Sequence, residues 1–276
     1  MFTVIAGAGY TGRRVLERLP VDRAVGLNRS SVDTDRRCFS VDFDSMSALP
    51  VELPQRYAVL YTCPPDNEND ERLQRLLSLL TPVPTRFVYI STTGVYGDQR
   101  GATVTEETPV SPNSPLARMR IAAEKLVVSG AVNSGCDLVI LRVPGIYGPG
   151  RLGERRKKEK GEAYLREDDA NPGNRIHVDD LATCCLVALD AATPTGIYNV
   201  GDGDHRSATW FADEVARQAG LPEPRKISRA AAEQEFSPMR LAFLASSRVV
   251  DTTKMREVLG VTPRGPEDGI RDSLRL

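Results

Sequence analysis

Short apolar runs alternate with stretches of helical period along the first two thirds of the chain. Residues 2–6 read as a buried strand, and residues 13–19 set Val15, Leu16 and Leu19 on one helical face. Residues 24–27 and 57–62 predict two more strands. Residues 71–80 predict a leucine-rich helix that stops at Thr81-Pro82, because proline has no N–H to continue the ladder. A strand at 87–91, a helix at 116–129 and a strand at 137–143 follow. This rhythm predicts an α/β fold, a doubly wound parallel sheet with right-handed crossovers and helices on both faces.

From Gly148 the pattern changes. Residues 151–169 are almost all charged or small, which predicts a solvated loop or lid. Helical period returns at 179–190 and 209–219, a short strand is predicted at 197–200, and 254–259 reads as a terminal helix stopped by Gly260. The division expected is a core over residues 1–147. Residues 148–276 form mainly a smaller C-terminal substrate lobe, with some segments returning to the core.

Composition narrows the function classes. The 276 residues carry 36 Lys+Arg against 37 Asp+Glu, so no whole-molecule field draws nucleic acid or an acidic membrane surface. With 41% hydrophobic residues the chain is not disordered, and its length buries a core that needs no metal or disulfide staple. Five cysteines without Cys-x-x-Cys spacing, beside only His177 and His205, offer no zinc set and fit a reducing compartment. The start runs directly into a strand with no basic leader, and no apolar stretch nears the roughly 20 residues of a membrane helix. The expected location is cytoplasmic. The expected partner is a small-molecule substrate, with no nucleic acid and no membrane.

The sharpest chemistry lies in Val4-Ile5-Ala6-Gly7-Ala8-Gly9-Tyr10-Thr11-Gly12-Arg13, where three glycines at G-x-G-x-x-G spacing follow a strand and open a helix. Gly7 permits the tight turn, Gly9 the approach of a pyrophosphate, and Gly12 close helix–strand packing. With Tyr10 and Thr11 they form a phosphate cradle at a helix N-terminus, the Rossmann dinucleotide arrangement; a turn that serves packing alone is the alternative. About twenty residues on, where an acidic side chain accepts the ribose 2′-hydroxyl of NAD, the chain has Asn28-Arg29-Ser30. Asn28 removes the repelling charge, Arg29 pairs with a 2′-phosphate and Ser30 adds a hydroxyl, so NADP is expected over NAD. Asp42 is read either as an acceptor for the adenine amino group or as a turn residue.

Three further landmarks, Tyr89-Ile90-Ser91-Thr92-Thr93-Gly94-Val95-Tyr96-Gly97, Gly145-Ile146-Tyr147-Gly148-Pro149-Gly150 and Arg175-Ile176-His177-Val178-Asp179-Asp180-Leu181, occur in an order that resembles the extended short-chain dehydrogenase/reductases, the NAD-dependent epimerase/dehydratase family. The resemblance implies a nicotinamide cofactor on the sheet, a substrate under the small lobe, and a homodimer. It also implies Thr92 as the hydroxyl that holds the substrate oxygen and a Tyr-x-x-x-Lys pair on the next helix. Those two positions hold Leu116, which has no proton to give, and Arg120, which keeps a charge for the nicotinamide ribose but does not titrate. Gly145 stands where nucleotide-sugar members place an Asn, and Thr93-Gly94 where dehydratases carry Asp-Glu. The pattern, with Asn174, Arg175, His177 and Asp179, looks like the atypical subgroup without the catalytic Tyr.

Tyr147 and His177 are the candidate replacements for the missing acid/base, each with a structural alternative: a packed loop aromatic and a hydrogen-bonding His at a helix start. Tyr96 reads as structural, and Cys63 as shaping a pocket. The reading that follows is an NADP-dependent oxidoreductase on a small carbonyl or alcohol. A non-catalytic NADP(H)-binding sensor or scaffold is the alternative, and an isomerase with bound NAD a third.

Overall fold

The computed structural model describes residues 1–29, 37–152 and 163–275. Ser30 and residues 153–162 of the charged segment lie outside the described residues. Seven strands form the central sheet: β1 (Phe2–Ala6), β2 (Ala24–Asn28), β3 (Cys38–Ser40), β4 (Tyr57–Tyr61), β5 (Arg86–Thr92), β7 (Asp137–Val143) and β11 (Gly196–Asn199). Their order is β3-β2-β1-β4-β5-β7-β11, and every neighbouring pair is parallel. From β1 the chain steps outward to β2 and β3, then crosses to β4 on the other side, so a crevice opens at the carboxyl ends of β1 and β4.

Both faces of the sheet are covered, which is why β4 is buried along its whole length. Helices α1 (Tyr10–Arg18) and α4 (Val178–Leu189) lie on one face, where Val15, Leu16, Leu181 and Cys185 pack on Ile5, Leu60 and Leu141. Helices α2 (Glu71–Leu79) and α3 (Pro115–Ser134) lie on the other, where Leu73, Leu76, Ala123 and Val127 meet Val59, Tyr61 and Tyr89. Successive residues Val59 and Leu60 thus serve opposite layers, as the two-residue period of a strand requires.

The remaining chain builds the smaller lobe. It contains β8 (Gly145–Tyr147) beside β10 (Arg175–His177), β9 (Tyr164–Leu165) beside β12 (Lys226–Ile227), and β6 (Thr103–Val104) beside β13 (Val249–Val250). Helices α5 (Ala208–Gln218), α6 (Arg229–Glu235), α7 (Pro238–Leu244) and α8 (Pro266–Leu274) complete it.

Three predicted features need correction. The segment predicted as a solvated loop contains buried structure, because Tyr164 and Leu165 form β9, and Ala163 and Leu165 pack with Ala232 of α6. The turn over Met255–Leu259, closed by Gly260 at φ +63°, is a single wide π turn, and the last helix is α8, which begins at Pro266. Helix α3 outruns its predicted end because Gly135, at φ +71°, supplies the left-handed stop six residues later than 129. No helix among the described residues is long and apolar enough to cross a membrane.

Candidate functional site

The crevice is floored by the turn between β1 and α1. Gly7 N–H and Ala8 N–H both donate to Leu27 O, at 2.9 and 3.0 Å, and Thr62 Oγ1 donates to Gly7 O at 2.6 Å. Gly7 sits at φ +95°, and a Cβ there would lie 2.5 Å from Thr62 Oγ1. A Cβ on Gly12 would lie 2.5 Å from Gly7 O and 2.9 Å from Ile5 Cγ2. Gly9 differs, since a Cβ there meets nothing nearer than Gly7 O at 4.0 Å among the described residues beyond its chain neighbours. Its backbone faces open space.

The amides of Tyr10, Thr11 and Gly12 precede the first helical bond, Arg13 N–H to Gly9 O at 2.9 Å. Gly9 supplies no capping side chain. Asp70, Ser114, His177, Ser207, Ser228 and Ser237 each cap the helix that follows them. The bare end of α1 thus fits the diphosphate that the glycine spacing predicts. Tyr10 Oη donates to Pro149 O at 3.0 Å, and its ring lies between the guanidiniums of Arg14 and Arg151 at 4.3 and 4.1 Å. That contact holds the loop after β8 against the cradle.

Beyond β2, Asn28 O accepts from Val41 N–H at 2.8 Å, and Arg29 donates to Asp44 at 3.1 Å. Arg72 of α2 pairs with the same carboxylate and holds its pKa below the usual range. Asp42 accepts from Asp44 N–H and Ser45 Oγ, at 3.1 and 2.9 Å, which is the turn arrangement weighed for it above. Asp44 and Arg72 carry no local motif.

On the far side of the crevice Thr92 ends β5, and its Oγ1 accepts from Gly94 N–H at 3.1 Å. Leu116 lies in the first turn of α3 and is 56% exposed. One turn on, Arg120 Nη1 donates to Ile90 O, Tyr89 Oη and Cys63 O at 2.9, 3.1 and 3.3 Å, which fixes its charge across the ends of β4 and β5. Burial pushes the Cys63 thiol up to about 12, so it stays protonated and does not act as a nucleophile.

Tyr147 and His177 are brought together, but inside the lobe. Their rings meet edge to face at 5.3 Å, and both face α8. Tyr147 also packs on Phe211 at 5.1 Å, and its hydroxyl is buried against Gly269 with no hydrogen-bond partner among the described residues. His177 Nδ1 accepts from Asp179 N–H at 3.2 Å, and Nε2 lies 3.2 Å from Ser273 Oγ. Burial lowers the His177 pKa and raises that of Tyr147, so both are neutral. No hydrogen bond or ring contact joins either to Thr92 or Arg120 among the described residues.

A buried charge network directly behind Thr92 escaped the sequence reasoning. Ser91 Oγ donates to Glu124 Oε1, Arg142 grips both Glu124 oxygens, and Arg142 Nη1 donates to Tyr96 Oη at 3.0 Å. Tyr96 Oη donates in turn to Asn199 Oδ1 at 2.6 Å. The available signal was Arg142 inside the apolar run of β7, since a buried arginine requires an acidic partner.

Comparison with known proteins places these features in context. The model of the NAD dependent epimerase/dehydratase family matches residues 67–201. Protein YeeZ of Escherichia coli (strain K12) is 30% identical over 192 residues, which are 68% of this chain and 66% of that protein. The solved structure of a functionally unknown conserved protein from Silicibacter pomeroyi DSS superposes with a TM-score of 0.82 at 27% identity, covering 100% of this chain and 99% of that one. UDP-glucuronic acid 4-epimerase from Bacillus cereus, solved in complex with NAD, shares the fold with a TM-score of 0.77 at 17% identity over 100% and 96% of the two chains. The chain spans only 39% of a UDP-arabinose 4-epimerase of Arabidopsis thaliana and 53% of a dTDP-glucose 4,6-dehydratase of Streptomyces niveus that it matches.

Proposed function

This chain belongs to the NAD dependent epimerase/dehydratase family, and from that membership we propose an NADP-dependent oxidoreductase acting on a small carbonyl or alcohol. The observation that carries the reading is the uncapped N-terminus of α1 above Gly9, whose backbone borders open space. The amides of Tyr10, Thr11 and Gly12 hold the diphosphate, and Arg29 holds the 2′-phosphate. The nicotinamide, when bound, supplies or accepts a hydride.

The chain's own residues orient the other reactant. Thr92 Oγ1, already accepting from Gly94 N–H, has its proton free to donate to the substrate oxygen. Arg120 is held by Ile90 O, Tyr89 Oη and Cys63 O at the ends of β4 and β5. With Tyr147 and His177 turned into the lobe, water delivers the proton that completes carbonyl reduction, and orientation of the reactants provides most of the acceleration. The lobe over residues 148–276, apart from α4 and β11, closes the substrate side.

The second reading is a protein that binds NADP(H) and turns nothing over. Its support is Leu116, an exposed hydrocarbon at the position of the family's acid/base.

One experiment separates the two. NADPH consumption is followed across aldehydes, ketones and quinones, beside binding measured by nicotinamide fluorescence. Turnover lost in Thr92→Ala with binding retained supports the oxidoreductase. Tight binding with no turnover on any substrate supports the sensor. No affinity for either nucleotide refutes both.

A further inference from the structure

Two arginines from different elements converge on one carboxylate beside the end of β2. Arg29 follows β2, Arg72 lies in the first turn of α2, and Asp44 stands between them in the turn after β3. Arg29 Nη2 donates to Asp44 Oδ2 at 3.1 Å, Arg72 Nη2 donates to the same oxygen at 3.0 Å, and Arg72 Nε donates to Oδ1. Two guanidiniums on one carboxylate leave a surplus of positive charge, offset among the described residues by Asp66, 3.9 Å from Arg72. The group is open to solvent, with side-chain exposures of 57% for Arg29, 45% for Asp44 and 22% for Arg72. Ion pairs this exposed exchange partners readily.

Resting on the reading that the cradle takes NADP(H), we propose that Arg72 is the second arm of the 2′-phosphate site, and that Asp44 is a resident competitor which keeps the two arms together until the phosphate displaces it. A carboxylate and a phosphate both accept two parallel N–H bonds from a guanidinium fork. The phosphate monoester brings about two charges and three oxygens against one charge and two oxygens, so it displaces the carboxylate from a shared pair of arginines. NAD has no group that competes for them. Arg72 therefore contributes to selection of the phosphorylated cofactor, while Asp44 limits it.

Binding of NADPH and NADH to the full chain is measured by nicotinamide fluorescence, with adenosine 2′,5′-bisphosphate as a competing probe that lacks the nicotinamide. Arg72→Ala weakens NADPH and the bisphosphate about tenfold, the scale of one charge-assisted hydrogen bond, and leaves NADH unchanged. Arg72→Lys recovers part of that loss. Asp44→Asn tightens NADPH about threefold or more, again without effect on NADH. The inference is overturned if Arg72→Ala weakens both nucleotides alike, or if Asp44→Asn weakens either one, because Asp44 then acts as a ligand. If Arg29→Ala lowers the NADPH preference and Arg72→Ala does not, the inference fails while the NADP reading stands. If neither variant changes the preference, the NADP reading fails and the inference falls with it. Circular dichroism of each variant verifies the fold, which exposed side chains leave intact.

Discussion

Glu124 and Arg142 meet as a two-point ion pair inside the protein, with Nε 3.1 Å from Oε1 and Nη2 2.8 Å from Oε2. Glu124 comes from α3 and Arg142 from β7, and through Ser91, Tyr96 and Asn199 the pair also reaches β5 and β11. Each carboxylate oxygen and most of the guanidinium are satisfied, which is what makes ionised groups tolerable in a layer that water does not reach. The network sets the position of β5, and so of Thr92.

Removing one partner leaves the other charged, buried and alone. Glu124→Ala is expected to lower unfolding stability by about 3–5 kcal/mol in urea titrations. Replacing both partners, with Glu124→Leu and Arg142→Met together, recovers most of it, because no ion then needs a partner. A single-variant loss under about 1 kcal/mol would show that water or a neighbour compensates, contrary to the geometry.

The three cradle glycines separate folding from binding. Gly12→Ala places a Cβ against Gly7 O and Ile5, and overpacking of this kind costs about 1–3 kcal/mol. Gly9→Ala meets no described residue beyond its chain neighbours closer than Gly7 O at 4.0 Å, so the melting temperature holds. Its methyl group stands where the diphosphate approaches, so NADPH affinity drops by about tenfold or more. Undiminished NADPH binding by Gly9→Ala places the diphosphate elsewhere.

Asp202 makes stability depend on pH in an unusual direction. Its Oδ1 accepts from Asp204 N–H at 2.9 Å, Oδ2 is buried with no hydrogen-bond partner among the described residues, and burial pushes the carboxyl up to about 7. The folded chain keeps a proton that the unfolded chain releases near pH 4, so this group removes stability as pH rises from about 4 to about 7. Asp202→Asn removes the penalty and gains about 2–4 kcal/mol on the wild type between pH 5 and pH 8. Parallel urea titrations of the two proteins at both pH values measure the gain, and equal pH dependence refutes it.

His177 acts with the opposite sign. Its Nδ1 caps α4, Nε2 therefore carries the proton toward Ser273, and Ser273 Oγ donates on to Gly269 O at 2.6 Å. Burial and the nearby Arg264 lower its pKa, so the unfolded chain takes up a proton that the folded chain refuses. Stability falls as pH drops below about 6.5, the value of a free imidazole. His177→Asn, which keeps a capping oxygen, shows a smaller drop in melting temperature between pH 7.5 and pH 5 than the wild type. An identical drop means that His177 is not the group responsible.

What was legible in the sequence is local. The strand–helix rhythm around β1, α1, β4, α2, β5, α3 and β7 follows from apolar periods of two and 3.6 residues, and the cradle from glycines within a span of six residues. The backbone at Gly7 and Gly12 has one compact solution, so spacing alone specifies it.

Orientation was not legible, because it depends on which distant surface each side chain is packed against. Tyr147 and His177 each read in the sequence as an acid/base candidate or as a structural residue, and it is α8, about a hundred residues further along, that packs against both in the lobe. Arg29 read as the partner of a 2′-phosphate, and its neighbours Asp44 and Arg72 come from two other elements that no local pattern joins to it. Glu124 finds Arg142 only once α3 lies on β7. Periodicity determined the elements of this protein, and packing between elements decided which of its polar groups face the crevice, since burial energy acts on whole faces and pairs polar groups only after those faces have met.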